Sequence, residues 1–428
     1  MPMNYEASRA FAQQMDREDP LAHFRDRFHI PKLHGKTCIY LTGNSLGAMP
    51  KSAREYIETE LNDWAEMGVE GHFEAVRPWK PYHHFLKEKA ARVVGAIPSE
   101  VVVMNNLTSN LHFMMVSFFR PQGKRTKIVC EGGAFPSDQY ALESQLKFHG
   151  LDPNEHLIEL HPRAGEHTLH LEDVLNTLES HRDEIALVMM GGVNYYTGQF
   201  FDLKSITDKA HEIGAVAGFD LAHAAGNLPL QLHDWNVDFA VWCSYKYLNS
   251  GPGGTSGCFV HQRHENNPEL PRFAGWWGHK EDERFLMKKG FIPMVGADGW
   301  QLSNAQILPM AAHLASLEIF DEVGMNRLRE KSLKLSGFAH FLLNRVATEF
   351  PNAQIEVITP ANEHERGCQV SLLAGPRGKE LFNALHAKGV LTDWREPNVI
   401  RFAPVPLYNR FEEVFEVYEV MHGILAEG

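Results

Sequence analysis

The chain is poor in the features that mark several protein classes. Its five cysteines, Cys38, Cys130, Cys243, Cys258 and Cys368, are scattered without a C-x-x-C pair, which excludes a disulfide framework or a zinc knuckle and suits a reducing compartment. No stretch is long and apolar enough to suggest a bilayer-spanning helix. The opening residues, MPMNYEASRAFAQQMDRED, lack the apolar core of a secretory signal, so the expectation is a cytoplasmic protein without a membrane partner. Basic charge is also short: 41 Lys and Arg against 54 Asp and Glu leave a formal net charge of −13, which argues against a nucleic-acid partner. Internal repeats and low-complexity tracts are missing. The 24 histidines include the spaced pairs His167 with His170 and His261 with His264, but neither pair belongs to a helix-borne ligand motif such as H-E-x-x-H. They read as solvated surface residues, and no metal is expected.

What the chain does have is a rhythm of short apolar runs separated by helical patterns. At 428 residues it is long for one core and short for three, which suggests a large domain with a smaller one attached. The expected division is an N-terminal segment, 1–50, contributing to the small domain, a large α/β domain over 51–310, and a small α+β domain over 311–428. In KTCIYLTGNSLGAMP a short strand gives way to a loop where Gly43 and Gly47 permit tight turns. Ala53, Tyr56, Ile57, Leu61 and Trp64 recur at helical spacing and predict a helix with this face in the core. Strand-like runs such as VVVMN, TKIVCEG, HLIEL and IALVMMGG then alternate with helical ones, implying a mostly parallel sheet. From Ala305 a long helical pattern runs to Phe350, broken near Gly324.

Two of these runs carry unusual residues. VAGFDLAH brings Asp220 and His223 to a strand end, and DFAVWCSYKYL sets Tyr245 and Lys246 just before the glycine-rich SGPGG. Taken singly, the lysine reads as a snorkelling surface residue and the aspartate as a helix cap. Taken together, on successive strand ends where open sheets bind ligands, they read as chemistry. A desolvated lysine amine condenses with aldehydes, and a carboxylate can keep a pyridine nitrogen protonated. Those are the parts of a pyridoxal phosphate site. Upstream, NNLTSNLHF opens a helix, where Thr108 reads equally as an N-cap or, with the backbone of Ser109 and Asn110, as a phosphate cradle. Asp138, two residues after Pro136, reads by itself as a first-turn carboxylate favoured by the helix dipole. Arg401, in NVIRFAPVPLYN, is either a surface strand residue or a fork for a carboxylate. The irregular, aromatic stretch from Arg272 to Asn304 is too long for an ordinary connection, which marks it as functional.

The stretches GNSLG, FPSD, FDLAHAAGN, WCSYKYLNSGPGG, SLEIF and RFAPVPLYN, in that order from about Tyr40 to Asn409, resemble the kynureninase family. These are fold-type-I pyridoxal phosphate enzymes of the aminotransferase class V group. The resemblance implies an α/β large domain on a mostly parallel seven-stranded sheet, a smaller α+β C-terminal domain, pyridoxal 5′-phosphate as cofactor, and a homodimer with shared sites. It implies Leu107 and Thr108 at the cofactor's phosphate, Phe135 stacked on its ring, and Asp138 and His223 beside it. Lys246 would carry the cofactor and move the Cα proton, Asp220 would hold the ring nitrogen, and Tyr245 would relay protons. Trp276 and Asn304 would reach the cofactor and substrate of the neighbouring subunit. Implied contacts to an amino-acid substrate are Asn44, Ser45, His72, Ser303, Asn304 and Arg401, the last on the α-carboxylate. The implied reaction is hydrolytic Cβ–Cγ cleavage of L-kynurenine or its 3-hydroxy form. The family more often has phenylalanine at the place of Trp277. Two other readings use the same parts. A cysteine desulfurase-like C–S lyase needs a mobile cysteine, for which only Cys368 is placed; a non-catalytic cofactor-binding protein would have little reason to keep Lys246, Asp220, Tyr245 and Arg401.

Overall fold

The computed structural model describes residues 3–427 apart from 266 and 268; positions 1, 2 and 428, the outer ends of the two expected terminal segments, lie outside it. Seven strands build one sheet: β1 (Val101–Val103), β2 (Lys127–Glu131), β3 (Leu157–Leu160), β4 (Ile185–Gly191), β5 (Val216–Asp220), β6 (Phe239–Trp242) and β7 (Gly257–Val260). Their spatial order is β1-β7-β6-β5-β4-β2-β3. β7 runs antiparallel to both its neighbours, and every other pairing is parallel.

The central strands are apolar almost without interruption because both faces of the sheet are covered. The two-residue strand period sorts their side chains into two cores. Val101, Val103, Val129, Val188, Met190 and Trp242 join one, while Val102, Ile128, Leu187, Met189, Phe239 and Val241 join the other. Helices Tyr82–Val94, Leu203–Glu212 and Ile307–Val323 close the first face, and helices Leu107–Phe118 and Pro136–Phe148 close the second. Gly324, at φ 76°, ends Ile307–Val323 before Met325–Glu349 begins.

A third core joins the two ends of the chain. Strands β8 (Glu356–Val357), β9 (Val370–Leu373), β10 (Asp393–Arg395) and β11 (Val399–Phe402) form an antiparallel sheet in the order β8-β9-β11-β10. Ala12, Met15, Ile39 and Leu41 pack with it and with the last helix, Phe411–Glu427. The Asp16 carboxylate accepts from the amides of Phe411 at 2.7 Å and Glu412 at 2.9 Å, the positive end of that helix.

Three sequence expectations are overturned. Helix Ala53–Met67 turns its Leu61 and Trp64 outward and buries Glu60 and Asp63. The reason is partners: Glu60 accepts from Arg77, Trp79 and Tyr82 at 2.7–2.9 Å, and Asp63 accepts from the Val76 amide. Gly43 does lie in a tight turn, closed by the Ser45 amide on the Thr42 carbonyl at 2.8 Å, but Gly47 lies outside it and serves close approach, since a Cβ there would lie 2.2 Å from Asn249 Oδ1. His261 is not a surface residue; it is buried and stacks on His233 with the rings 5.2 Å apart. Among the described residues no helix is long and apolar enough to cross a membrane.

Candidate active site

The strand ends converge on one cavity. Asp220 closes β5, its register partner Gly191 closes β4, and Glu131 closes β2. Lys246 sits in the turn after β6. These residues line the cavity with Thr108, Phe135, Asp138, His223 and Tyr245. Lys246 Nζ lies 3.1 Å from His223 Nε2, 5.6 Å from the Phe135 ring centre and 5.9 Å from that of Tyr245. The GNSLG loop presses on this turn. The Gly47 amide donates to the Tyr245 carbonyl at 2.8 Å, and a Cβ at Gly47 would come within 2.3 Å of the Lys246 carbonyl oxygen.

Three carboxyl groups face one lysine here. Burial pushes the Asp220 carboxyl up, while the Ala222 amide, which donates to Oδ1 at 2.6 Å, and the charge of Lys246 pull it back. Asp138 is pushed further, by burial and then by the charges of Asp220 and Glu131, and its Oδ1 is buried without a hydrogen bond. Burial pushes Glu131 up to about 7, against the Gly191 amide that donates to both its oxygens at 3.1 and 3.0 Å. Sequence reading missed Glu131, although the strand KIVCE ends on a carboxylate much as VAGFD does. His223 is held neutral by burial and by the nearby charge of Lys246, and its Nδ1 has no partner. The Tyr245 hydroxyl is pushed up by burial and then by Cys243.

Helix Leu107–Phe118 points its N-terminus into the same cavity. Its cap is Asn106, whose side chain accepts from the Ser109 amide at 3.1 Å, and the Asn110 amide donates to the Asn106 carbonyl at 3.0 Å. The expected use of the Ser109 and Asn110 amides as anion donors is therefore corrected. The helix leaves the amides of Leu107 and Thr108, at its first two positions, without intrahelical acceptors. Thr108 is released from capping and its hydroxyl lies 3.0 Å from that of Ser137.

A second polar corner lies where the chain ends meet the large sheet. Arg401 on β11 is fully buried and faces Asp393 of β10 and Ser371 of β9 across the strands. Its Nη1 donates to the Tyr195 carbonyl at 2.9 Å and its Nε to Asp393 at 3.3 Å. It is a buried fork, not a surface arginine. Asn44 is buried and donates to Gln369 at 3.0 Å, while Ser45 is half-buried with its amide on the Thr42 carbonyl. Tyr195 bridges the two regions, since it lines the Lys246 cavity and packs edge-on against Phe135.

Asn44, Ser45 and Arg401 do not themselves line the Lys246 cavity, and four further expected residues are brought neither to it nor to this corner. His72 packs on Trp79, 5.4 Å between ring centres, with Nδ1 at the Val69 carbonyl. Ser303 and Asn304 are exposed, and Trp276 lines a separate surface cleft with His279, Arg284 and Phe291. Beside it Trp277 is buried under the Arg284 guanidinium, 4.4 Å from the ring centre.

The chain matches two family models, Aminotransferase class-V over residues 39–348 and Kynureninase C-terminal domain over residues 328–421. It is 53% identical to the kynureninase of Christiangramia forsetii over 426 residues, which is 99% of this chain and 100% of that one. With the kynureninase of Myxococcus xanthus it shares 52% over 427 residues, 100% of this chain and 99% of the other. The chain belongs to the kynureninase family. Among solved structures its fold resembles the cysteine desulfurase CsdA from Escherichia coli, with a TM-score of 0.75 at 16% identity over 95% of this chain and 98% of that one.

The cofactor of the kynureninase family and of aminotransferase class V is pyridoxal phosphate. The cavity's residues suit that group. They supply a lysine amine, a buried aspartate, an aromatic face, a helix start for an anion, and two buried polar atoms with open valence, His223 Nδ1 and Asp138 Oδ1. Cys368, the only candidate for a desulfurase nucleophile, is buried at the entrance to β9 with its amide on Asn227 and its thiol pushed up to about 12 by burial. A thiol so enclosed is neither mobile nor ionised.

Proposed function

We propose that this protein hydrolyses the Cβ–Cγ bond of L-kynurenine and its 3-hydroxy form, releasing anthranilate or 3-hydroxyanthranilate and L-alanine, with pyridoxal phosphate bound at Lys246. What carries the reading is the 3.1 Å contact of Lys246 with a neutral His223 beside buried Asp220, in a chain 53% identical to a kynureninase along its length. Bound there, pyridoxal phosphate supplies an electron sink for a carbanion at the substrate's Cα. The residues do the rest. Thr108 and the amides of Leu107 and Thr108 hold the phosphate, Phe135 covers the ring, and Asp220, with Asp138 behind it, keeps the ring nitrogen protonated. The Lys246 amine removes the Cα proton. Tyr245 moves a proton between water and the leaving carbon. In the balance, the hydroxyl of water ends on Cγ as a carboxylic acid and its hydrogen on Cβ, now the methyl group of alanine. Arg401 takes the α-carboxylate, with Asn44 and Ser45 beside it.

The site is completed by a second copy of the chain in the cytoplasm, a homodimer in which Trp276, Ser303, Asn304 and His72 serve the partner's Lys246. Supporting this, Trp276, Phe285, Leu286, Met287, Ile292 and Val295 leave large apolar side chains exposed along one segment. Incubating cofactor-loaded protein with L-kynurenine should release anthranilate and L-alanine in equal amounts. Release of sulfide from L-cysteine without cleavage of L-kynurenine would favour the C–S lyase reading instead.

A further inference from the structure

We infer that Gln369 is a positioning residue for substrate binding, which sets the polarity of the carboxylate corner by holding Asn44 and the Tyr195 carbonyl in register with Arg401. It rests on the reading that the substrate is an α-amino acid.

Gln369 immediately precedes β9 and is fully buried. An amide side chain has a donating and an accepting end, and here one fixed acceptor decides which way it points. The backbone oxygen of Tyr195 can only accept. It receives Nε2 of Gln369 at 3.0 Å and Nη1 of Arg401 at 2.9 Å. The same Nε2 donates to the Ser371 hydroxyl at 3.0 Å, so the donating end of Gln369 is committed. Oε1 must then face Asn44, whose Nδ2 donates to it at 3.0 Å. Reversing Gln369 would set oxygen against oxygen at Tyr195 and nitrogen against nitrogen at Asn44. The polarity therefore runs from Asn44 through Gln369 to a carbonyl that Arg401 shares.

Two atoms are left open. Asn44 Oδ1 is buried and accepts nothing, and Arg401 Nη2 makes no hydrogen bond although it lies 2.8 Å from Asp393 Oδ2. Its N–H groups are off the line to that carboxylate. An α-amino acid offers an N–H for the amide oxygen and a second carboxylate for a guanidinium whose ion pair with Asp393 leaves the Nη2 hydrogens without an acceptor. Gln369 acts on that contact from behind: it fixes the amide plane of Asn44 directly and, through the Tyr195 carbonyl, the guanidinium. The link spans 325 residues between Asn44 and Gln369.

The test compares L-alanine with L-alaninamide, which lacks the carboxylate, by absorbance titration of the cofactor-loaded protein. Wild type should favour L-alanine. In Gln369→Met all three hydrogen bonds of the side chain are lost, and L-alanine affinity should fall roughly ten- to a hundredfold, as expected for buried groups left unpaired, whereas L-alaninamide, which has only the N–H contact with Asn44 to lose, should weaken by about threefold or less. Gln369→Glu, which keeps the shape but puts oxygen against the Tyr195 carbonyl and a charge beside Arg401, should lose at least as much and decides the matter if the first variant fails to fold. With L-kynurenine, KM should rise more than kcat falls in either variant. Equal weakening of both ligands, or no weakening of either, overturns the inference, as does a wild type without preference for the carboxylate. Failure of wild type to cleave L-kynurenine while it still prefers L-alanine would sink the proposed reaction and leave Gln369 standing.

Discussion

Lys246 and His223 meet at 3.1 Å, amine to imidazole Nε2, although one follows β6 and the other follows β5. The contact arises because β5 and β6 are parallel neighbours, with Asp220 opposite Val241, so the turns after both strands open on the same edge of the sheet. Burial keeps the imidazole neutral, which leaves one ring nitrogen bare to accept a hydrogen bond. The first test follows directly. Borohydride treatment of the cofactor-loaded protein should fix the cofactor to the peptide containing Lys246, and Lys246→Ala should yield no labelled peptide. A label on another lysine would remove the assignment.

Asp220 is expected to act electronically rather than as an anchor. Asp220→Asn keeps an acceptor for the Ala222 amide but loses the charge that holds a ring proton. Its kcat should fall by about a hundredfold or more, measured with L-kynurenine, while cofactor affinity from equilibrium titration changes much less. Near-normal turnover would assign the ring proton to another group.

Helix Ala53–Met67 predicts an inverted mutational pattern. Glu60→Ala strips buried partners from Arg77, Trp79 and Tyr82 and should cost about 3 kcal/mol. Leu61→Ala, on the exposed face, should stay within about 0.5 kcal/mol. Urea unfolding of both variants decides; the opposite ranking would place the apolar face inside after all.

Acid should loosen the fold through unpartnered histidines. His313 is fully buried with both ring nitrogens unbonded, and burial lowers its pKa from 6.5 to about 3. The folded value lies below the unfolded one, so the stabilisation is complete above about pH 6.5 and is lost as pH falls from there toward about 3. His313→Leu should flatten the fall in urea midpoint between those limits. An unchanged slope would show that His313 contributes nothing to it.

The shared site can be tested by complementation. Lys246→Ala and Asn304→Ala chains, each nearly inactive alone, should regain activity when refolded together, up to roughly a quarter of wild type if chains pair at random and sites act independently. No recovery despite proven exchange of subunits would mean that each chain completes its own site.

The sequence by itself determined the strands, the helices and the meeting of Asp220, His223, Tyr245 and Lys246. The apolar runs are local, and a strand ending on a charged residue states its own end of the sheet. Motif order was likewise enough for the family. Only the tertiary structure decided which side of a helix is inside: Leu61 and Trp64 have core spacing, yet Glu60 is buried because three donors from a later segment converge on it. Periodicity reports that a helix has two faces, not which one meets a partner. The same holds at Asn106, which took the cap that Thr108 could equally have filled, because capping depends on backbone angles that a short polar run does not specify. Glu131 and Gln369 stayed invisible for a related reason. A strand-end carboxylate and a glutamine in CQVSLLA carry no pattern of their own. Their roles exist only where Gly191, Tyr195 and Asn44, far off in the chain, arrive at hydrogen-bonding distance.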